Sequence, residues 1–462
     1  MADKEHTDTE RMEKIVSLCK RRGFIFQSAE LYGGLNGCWD YGPLGVEVKR
    51  NLKDYWWRRN VQERDDIVGL DGSILTHQAV LTASGHVGGF SDPMVDCRTC
   101  KARFRADNLD GMQCAKKPSC TPGEGPDCDL TEAKEFNLMF QTTVGASADD
   151  NDPNAVAYLR PETAQSIFTQ FKNVLDTSRQ KLPFGIAQIG KAFRNEINPR
   201  NFTFRSREFE QMEIEFFCRP DEGLRLTDEW LEVRLKFYEE IGLPREKLHV
   251  LDVPDGERAH YSKKTYDIEF DFPFGRQELE GVAYRTAYDL GKHQEHAGKP
   301  LEYFDEESKN KFLPHVVEPS AGCDRTTLAL ICEAFDEEEV TDPKGKTEVR
   351  TVMRFHPRMA PVKAAIFPLL KKNKDQVRLC REIQAQLQPF VNVFYDESGA
   401  VGRRYRRQDE VGTPFCITVD FDTLGENGDE LKDTVTVRHR DSMEQERMPI
   451  GNLLPWLLDQ VR

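Results

Sequence analysis

The chain has 462 residues, too many for one hydrophobic core, and its 38% hydrophobic content supports two or three folded domains rather than disorder. With 64 Lys+Arg against 79 Asp+Glu, a formal net charge of −15 argues against indiscriminate polyanion binding, although a local basic patch can still meet nucleic acid. The start, Met1 to Glu13, is polar and no apolar run approaches a membrane span, so a cytoplasmic protein with no membrane partner is expected.

In chain order, periodicity predicts an amphipathic helix over Thr9 to Arg22, a Gly-rich turn from Gly33 to Gly37, and a helix from about Leu44 to Asn60 that presents Val46, Val48, Leu52 and Trp56. A strand follows at Ile67 to Leu70. Five of the twelve cysteines, Cys97, Cys100, Cys114, Cys120 and Cys128, then fall within 32 residues. A reducing compartment disfavours disulfides, so this module, about 96–130, reads as a metal site. Cys97 and Cys100 have the spacing of a zinc knuckle, with the second pair to come from the later three, and four thiolates would make the zinc structural. A loop with incidental thiols is the plainer alternative. The run from Leu159 to Gln165 opens a helix carrying Ile167, Phe168, Phe171 and Val174.

Phe193-Arg194-Asn195-Glu196 and the segment Arg205 to Glu215 alternate as strands, joined by Ile197 to Phe204 in a hairpin with a long loop. Gln211, Glu213 and Glu215 share one face; Met212, Ile214 and Phe216 share the other. Such a hairpin sets arginine forks, which bind phosphate bidentately, beside carboxylates that accept from an amine or hold magnesium. Taken singly, such charges are usually cross-strand ion pairs on a solvated face.

The segment of about 219–270 combines an amphipathic helix, Leu226 to Ile241, with irregular or strand-rich chain and reads as an insertion. Gln277 to Tyr284 resumes the sheet, and Val316 to Arg325 turns from strand into a helix with Leu328, Leu330 and Ile331. The acidic run Asp336 to Glu348 and Phe355-His356-Pro357-Arg358 mark a boundary. Beyond it, strands and helices alternate as in a small α/β domain. Its basic helix, Val401 to Glu410, carries Arg403, Arg404, Arg406 and Arg407, which reads either as a nucleic-acid contact or as a solvated face. There is no GxxxxGK[ST] loop, no GxGxxG after a strand and no nucleophile motif; His293 and His296 read as surface residues. If ATP is used, arginines on a sheet must hold it.

These residues carry a resemblance. Phe193 to Glu196 with Arg205 to Phe209 resembles motif 2 of class II aminoacyl-tRNA synthetases, Gly322 to Arg325 resembles motif 3, and the helix from Leu44 with the strand at Val68 to Leu70 resembles the dimer-forming motif 1. Leu159 to Gln165, Phe193 to Arg200, Glu318-Pro319-Ser320 and the C-terminal region are similar, more narrowly, to the homodimeric glycyl-tRNA synthetase family. Asp324 departs from the Gly-x-Gly-Arg pattern often seen in motif 3, and the cysteine module belongs to only some members.

The resemblance implies an α+β catalytic domain over 1–355, an antiparallel sheet flanked by helices, and an anticodon-binding α/β domain over 356–462. It implies ATP-dependent attachment of glycine to tRNA(Gly) through glycyl-adenylate, with ATP and Mg2+, by a homodimer. Arg194, Arg325 and Glu278 would be catalytic. Asn195, Glu196, Phe204, Arg205, Ser206, Arg207, Glu208, Phe209, Leu279, Gly322, Cys323 and Asp324 would complete the ATP site. Glycine would meet Arg105, Glu162, Phe209, Glu210, Gln211, Met212, Glu213, Glu318, Pro319, Ser320, Ala321 and Gly322. A synthetase for another small amino acid, or a non-catalytic accessory protein on the same scaffold, are the alternatives; intact Arg194, Glu278 and Arg325 speak against the second.

Overall fold

The computed structural model describes residues 2–110, 112–114, 116–117, 119–125, 128–145, 155–341, 345 and 347–462. Two helices open the chain, α1 (Ala2–Arg22) and α2 (Pro43–Trp57). Pro43 pre-sets the helical φ at the first position of α2, where a missing N–H costs nothing. After β1 (Ile67–Gly69) and α3 (Ala164–Ser178) come the hairpin strands β2 (Phe184–Phe193) and β3 (Glu208–Cys218). Helix α4 (Gly223–Glu240) leads to β4 (Leu248–Asp252), β5 (Lys264–Phe272) and β6 (Gly275–Thr286). Helix α5 (Tyr288–Ala297) then precedes β7 (His315–Gly322) and the helix that follows it without a break, α6 (Cys323–Ala334).

One seven-stranded sheet, ordered β4-β5-β6-β7-β3-β2-β1, organises all of this; every pairing is antiparallel except β2 with β1. Both faces are covered. Leu18, Trp56, Trp230 and Ile331 from α1, α2, α4 and α6 pack on one face with Ile214, Val282 and Val317. Ile167, Phe168 and Phe171 from α3 pack on the other with Phe184, Ile186 and Phe217. The segment 219–270, read as an insertion, supplies α4, β4 and most of β5, and its Trp230 and Ile268 lie in the main core.

The hairpin also differs from its expected limits. Its ladder runs from Phe184↔Phe217 to Phe193↔Glu208, so Arg194 to Arg207 form the connection. Pro199 lacks an N–H, and Asn201 and Phe202 take φ of 58°, which a continuing strand cannot accommodate. The cysteine module carries its own three-stranded sheet, Arg103–Arg105, Ser91–Asp96 and Lys134–Asn137.

The acidic run expected to be a boundary instead pairs as a hairpin, β8 (Phe335–Thr341) with β9 (Thr347–Met353). Arg350 and Arg354 each pair with Glu338, which offsets the negative charge of this run. The last region forms β10 (Ala364–Pro368), α7 (Lys374–Leu387), β11 (Val393–Tyr395), α8 (Val401–Val411), β12 (Phe415–Val419), β13 (Thr434–His439), β14 (Gln445–Pro449) and α9 (Leu453–Val461). These make a mixed sheet ordered β11-β10-β12-β13-β14 over a separate core around Ile366, Ile417 and Leu457. Asn373 caps α7 by accepting the N–H groups of Asp375 and Gln376. Among the described residues no helix is long and apolar enough to cross a membrane.

Candidate active site

Strand register builds the site. Glu213 pairs with Ser320, Ser320 with Gly281, and Gly281 with Asp267, so one row of residues crosses β3, β7, β6 and β5. Their side of the sheet opens into a cavity of about 380 Å3. Alternation sends Met212, Pro319 and Ala321 to the opposite side, into the core, so these three of the expected glycine contacts are not at the cavity.

One end of the cavity is acidic. Ser320 Oγ donates to Glu213 Oε1 at 2.8 Å, Thr163 Oγ1 donates to the other oxygen, and Gln211 Nε2 reaches Ser320 Oγ at 3.4 Å. Glu162 accepts from Gln165 Nε2 at 2.8 Å and lies 3.5 Å from His86 Nε2. Burial alone would raise Glu162, but His86, Arg285 and Gln165 hold it below the usual carboxylate range. Burial and the neighbouring Glu162 raise Glu213. Burial, opposed by Arg285, pushes Glu318 up to about 8. Arg285 binds Glu318 at 2.6 Å and Asp289 at 2.8 Å beneath the Tyr261 ring, 3.9 Å away.

Arginines line the other end. The Arg194 guanidinium lies near the Phe90 and Phe209 rings, at 5.3 and 5.4 Å, and spends Nε on the Pro161 carbonyl. Its terminal nitrogens have no protein partner among the described residues, which leaves the fork open to an anion. Arg205 Nε lies 3.6 Å from Glu196 Oε2. Arg325 Nη1 donates to Glu278 Oε2 at 3.0 Å, with its guanidinium 4.5 Å from the Phe204 ring. A Cβ on Gly281 would sit 3.8 Å from Glu278 Oε1 and 3.9 Å from Asp267 Oδ1, so the bare glycine leaves two carboxylates converging on open space. Burial and Glu278 push Asp267 up to about 7.

Ser206, Leu279, Gly322, Glu210 and Asp324 also border the cavity. The carboxylates of the last two turn away, Glu210 to Lys49 and Lys53 and Asp324 to Tyr41 and Lys49. Four expected ATP contacts lie elsewhere. Arg207 donates to the Glu196 and Asn36 carbonyls, Glu208 pairs with Lys191 on the outer surface, and Asn195 uses its N–H on Leu138. Cys323 is wholly buried at the start of α6. Arg105 is also outside the cavity, tied to Asp92 and Asp107, and a guanidinium would in any case repel an ammonium group.

Several site residues escaped the sequence reading. Arg285 lies one position past the expected end of its strand, and Asp289 is its i+4 partner on α5. Glu257, Arg258 and Tyr261 come from the segment read as an insertion. His293, expected at the surface, is buried; its Nε2 lies 2.8 Å from Gln165 Oε1 and so braces the amide that holds Glu162.

In the cysteine module, Cys97 Sγ lies 3.7 Å from Cys128 Sγ and 3.5 Å from the Cys100 N–H. Gly123 N–H donates to Cys128 Sγ at 3.0 Å. The Lys116 and Lys117 N–H groups lower the Cys114 thiol, and the Cys100 and Cys128 thiols lower it further. Cys120 offers Cys114 a backbone carbonyl, and among the described residues no hydrogen bond joins its thiol to the other four.

Comparison with known proteins agrees with this architecture. Residues 143–335 match the family described as tRNA synthetase class II core domain (G, H, P, S and T), and residues 363–460 match the Anticodon binding domain. A glycine-tRNA ligase of Treponema denticola is 51% identical over 454 residues, covering 98% of this chain and 97% of its own. Those of Thermobifida fusca and Thermus thermophilus are 49% and 48% identical, each covering 98% of this chain and 98% and 99% of their own. A class II core and an anticodon-binding domain, joined in one chain that aligns end to end with these ligases at about half identity, leave one assignment: the chain belongs to the glycine-tRNA ligase family of class II aminoacyl-tRNA synthetases.

Proposed function

We propose that this protein attaches glycine to tRNA(Gly) at the expense of ATP. The observation that supports the reading most is the joining, in one cavity, of an open arginine fork at Arg194 and an acidic floor of Glu162, Glu213 and Glu318 around Ser320. Such a floor suits an ammonium group, and the fork suits a phosphate and carboxylate.

In the first step a glycine carboxylate oxygen attacks the α-phosphorus of ATP and pyrophosphate leaves. In the second, a terminal ribose hydroxyl of tRNA attacks the glycyl carbonyl, loses its proton, and AMP leaves. Neither requires a protein nucleophile; positioning and charge stabilisation suffice. Arg194 would bridge the α-phosphate and the glycine carboxylate as charge builds between them. Glu162 and Glu213 would take the ammonium, with Ser320 fixing Glu213. Glu196 would meet the adenine amino group, Phe209 would stack on the base, and Arg205 with Arg325 would hold the outer phosphates once Arg325 leaves Glu278.

The convergent oxygens of Glu278 and Asp267 fit magnesium, a hard cation that takes oxygen ligands and retains water and phosphate in its sphere. When bound there, magnesium would neutralise the outer phosphates. Selectivity would be steric, since any amino acid larger than glycine must place added atoms against Ser320 and its neighbours.

We further assign the catalytic domain to 1–355 and the anticodon reader to 356–462, acting in the cytoplasm as a homodimer through the α2 region. Zinc would fit Cys97, Cys100, Cys114 and Cys128 as a closed structural site. ATP–pyrophosphate exchange with each amino acid tests the main reading. Exchange is expected with glycine and magnesium alone; equal exchange with alanine or serine would overturn it.

A further inference from the structure

Directly beneath the glycine floor lies a carboxyl to which neither the reading above nor the motifs give any task. Glu215 is two residues along β3 from Glu213 and so projects from the same face. It is wholly buried, and neither of its oxygens has a hydrogen-bond partner. An oxygen of each of Glu213, Glu215 and Glu318 lies within 4.8 Å of the other two.

Compensation for these three charges is uneven. Glu213 accepts from Thr163 and Ser320, and Glu318 accepts from Arg285. Arg285 already serves Asp289 through two further bonds. Glu162 brings one more carboxylate from the turn before α3, with His86 as its partner. Tyr261, from the 253–263 loop, faces Arg285 with a phenol and adds no cation. One guanidinium thus stands among five carboxyls, and a buried, unpartnered carboxylate is the least tolerable of them.

We propose that Glu215 is a positioning residue of the amino-acid subsite: its carboxyl carries the proton that keeps Glu213 and Glu318 in place while the subsite is empty, and gives that proton up when the ammonium group of glycine enters. The inference rests on the glycine reading above. Burial and Glu318 hold Glu215 well above the ordinary carboxylate range, in keeping with a proton stored there. The balance is simple. One O–H bond of Glu215 breaks, the proton passes to solvent, and the arriving positive charge compensates the carboxylate left behind. Glycine keeps its own three ammonium protons as donors to the floor.

Proton counting tests this. Glycine is titrated calorimetrically into the full-length protein saturated with α,β-methylene-ATP, at pH 7.5, in buffers of different ionisation enthalpy. The expected result is release of close to one proton per glycine, with the KM for glycine in pyrophosphate exchange falling by up to about tenfold per pH unit through the titration. In Glu215→Gln the release should fall to the share that Glu318 carries and the KM should lose most of its pH dependence, the change lying in KM rather than kcat. Glu215→Asp, which keeps a titratable group, should restore release. Glycine binding without proton release in the wild-type protein would overturn the proposal and leave the function intact. Release by magnesium chloride alone would overturn it equally. Absence of any glycine binding would overturn the functional reading and this one with it.

Discussion

Lys49 Nζ lies 2.7 Å from Asp324 Oδ1, and both side chains are nearly buried. Asp324 stands where related motifs often carry a second glycine, and its carboxylate explains the exchange. Oδ1 also accepts from Tyr41, while Oδ2 accepts the backbone N–H of Glu210 at 2.6 Å. One side chain thus ties the start of α6 to α2 and to the strand that carries Glu213. Asp324→Ala would leave the Lys49 ammonium with Glu210 alone and take the acceptor from the Tyr41 hydroxyl and the Glu210 N–H, and breaking a buried pair costs roughly 3–5 kcal/mol at most. A denaturant titration should show that loss, and Lys49→Met in the same chain should recover a large part of it. Equal stability of the single and double variants would refute the coupling.

Arg194 is held by packing and by one bond to Pro161, with its fork free. Arg194→Ala should lower glycine-dependent pyrophosphate exchange by about 10²–10³-fold, the scale of one removed charge-stabilising donor. Arg194→Lys should fall nearly as far, because a point charge cannot bridge two anions bidentately. Unchanged thermal unfolding would show that the fold survives. Retained exchange in either variant would move the α-phosphate contact to another residue.

How much of this was legible in the sequence depended on whether a local pattern carried it. Period-2 alternation around Glu213 and Ser320 marked which residues face a common side, and the same rule, applied strictly, would have removed Met212, Pro319 and Ala321 from the glycine set. The turn from Gly322 into α6 was visible as strand followed by helix. What no local pattern carries is partner choice across the fold. Arg285 became the central cation only because α5 brings Asp289 and β7 brings Glu318 to it. The Glu-rich strand β8 reads as a boundary because its neutralising arginines, Arg350 on β9 and Arg354 just past it, lie beyond the turn.

Acid stability should register His356, in the connection that precedes β10. Burial, then the charges of Arg358, Lys363 and Arg440, pull its imidazole down to about 4, and its Nδ1 accepts the Arg358 N–H at 3.2 Å. The folded value lies below the unfolded one of roughly 6.5, so between these limits the unfolded chain binds the extra proton. Stability from this group is present above about pH 6.5 and lost as pH falls toward 4. Unfolding titrations between pH 4 and 7 should show a shallower acid loss in His356→Gln than in the wild-type protein. Identical slopes would place the acid sensitivity elsewhere.

The cysteine module offers a test that separates Cys114 from Cys120. The Cys114 thiol is lowered in the company of the Cys100 and Cys128 thiols, whereas Cys120 contributes its carbonyl. Elemental analysis should find about one zinc per chain, as a closed four-thiolate site holds a single ion. Cys120→Ser should keep it and Cys114→Ser should lose it. Chelation should loosen the module before it lowers adenylate formation, because Asn198 meets the module through Met112 while Arg194 does not depend on that contact. Metal-free protein from a chelator-free purification would remove the site altogether.

The basic helix α8 is less basic toward solvent than its sequence suggests. Arg404 is buried, donating to the Gly399 and Pro368 carbonyls; Arg406 pairs with Glu348 and Arg407 with Asp396. Among the described residues Arg403 alone of the four has no side-chain partner, so it is the one free to meet a phosphate. If α8 contacts tRNA, Arg403→Ala should weaken binding and flatten the dependence of log K on log salt by about one unit or less, the share of one released counterion. Arg404→Ala should leave that slope alone and instead destabilise the domain, since two buried carbonyls lose their donor. Pyrophosphate exchange should survive Arg403→Ala, because the cavity holding Arg194 and Glu213 contains no residue of α8. An unaltered salt slope in Arg403→Ala would show α8 to be a solvated face whose other arginines serve only to hold β9 and the turn after β11.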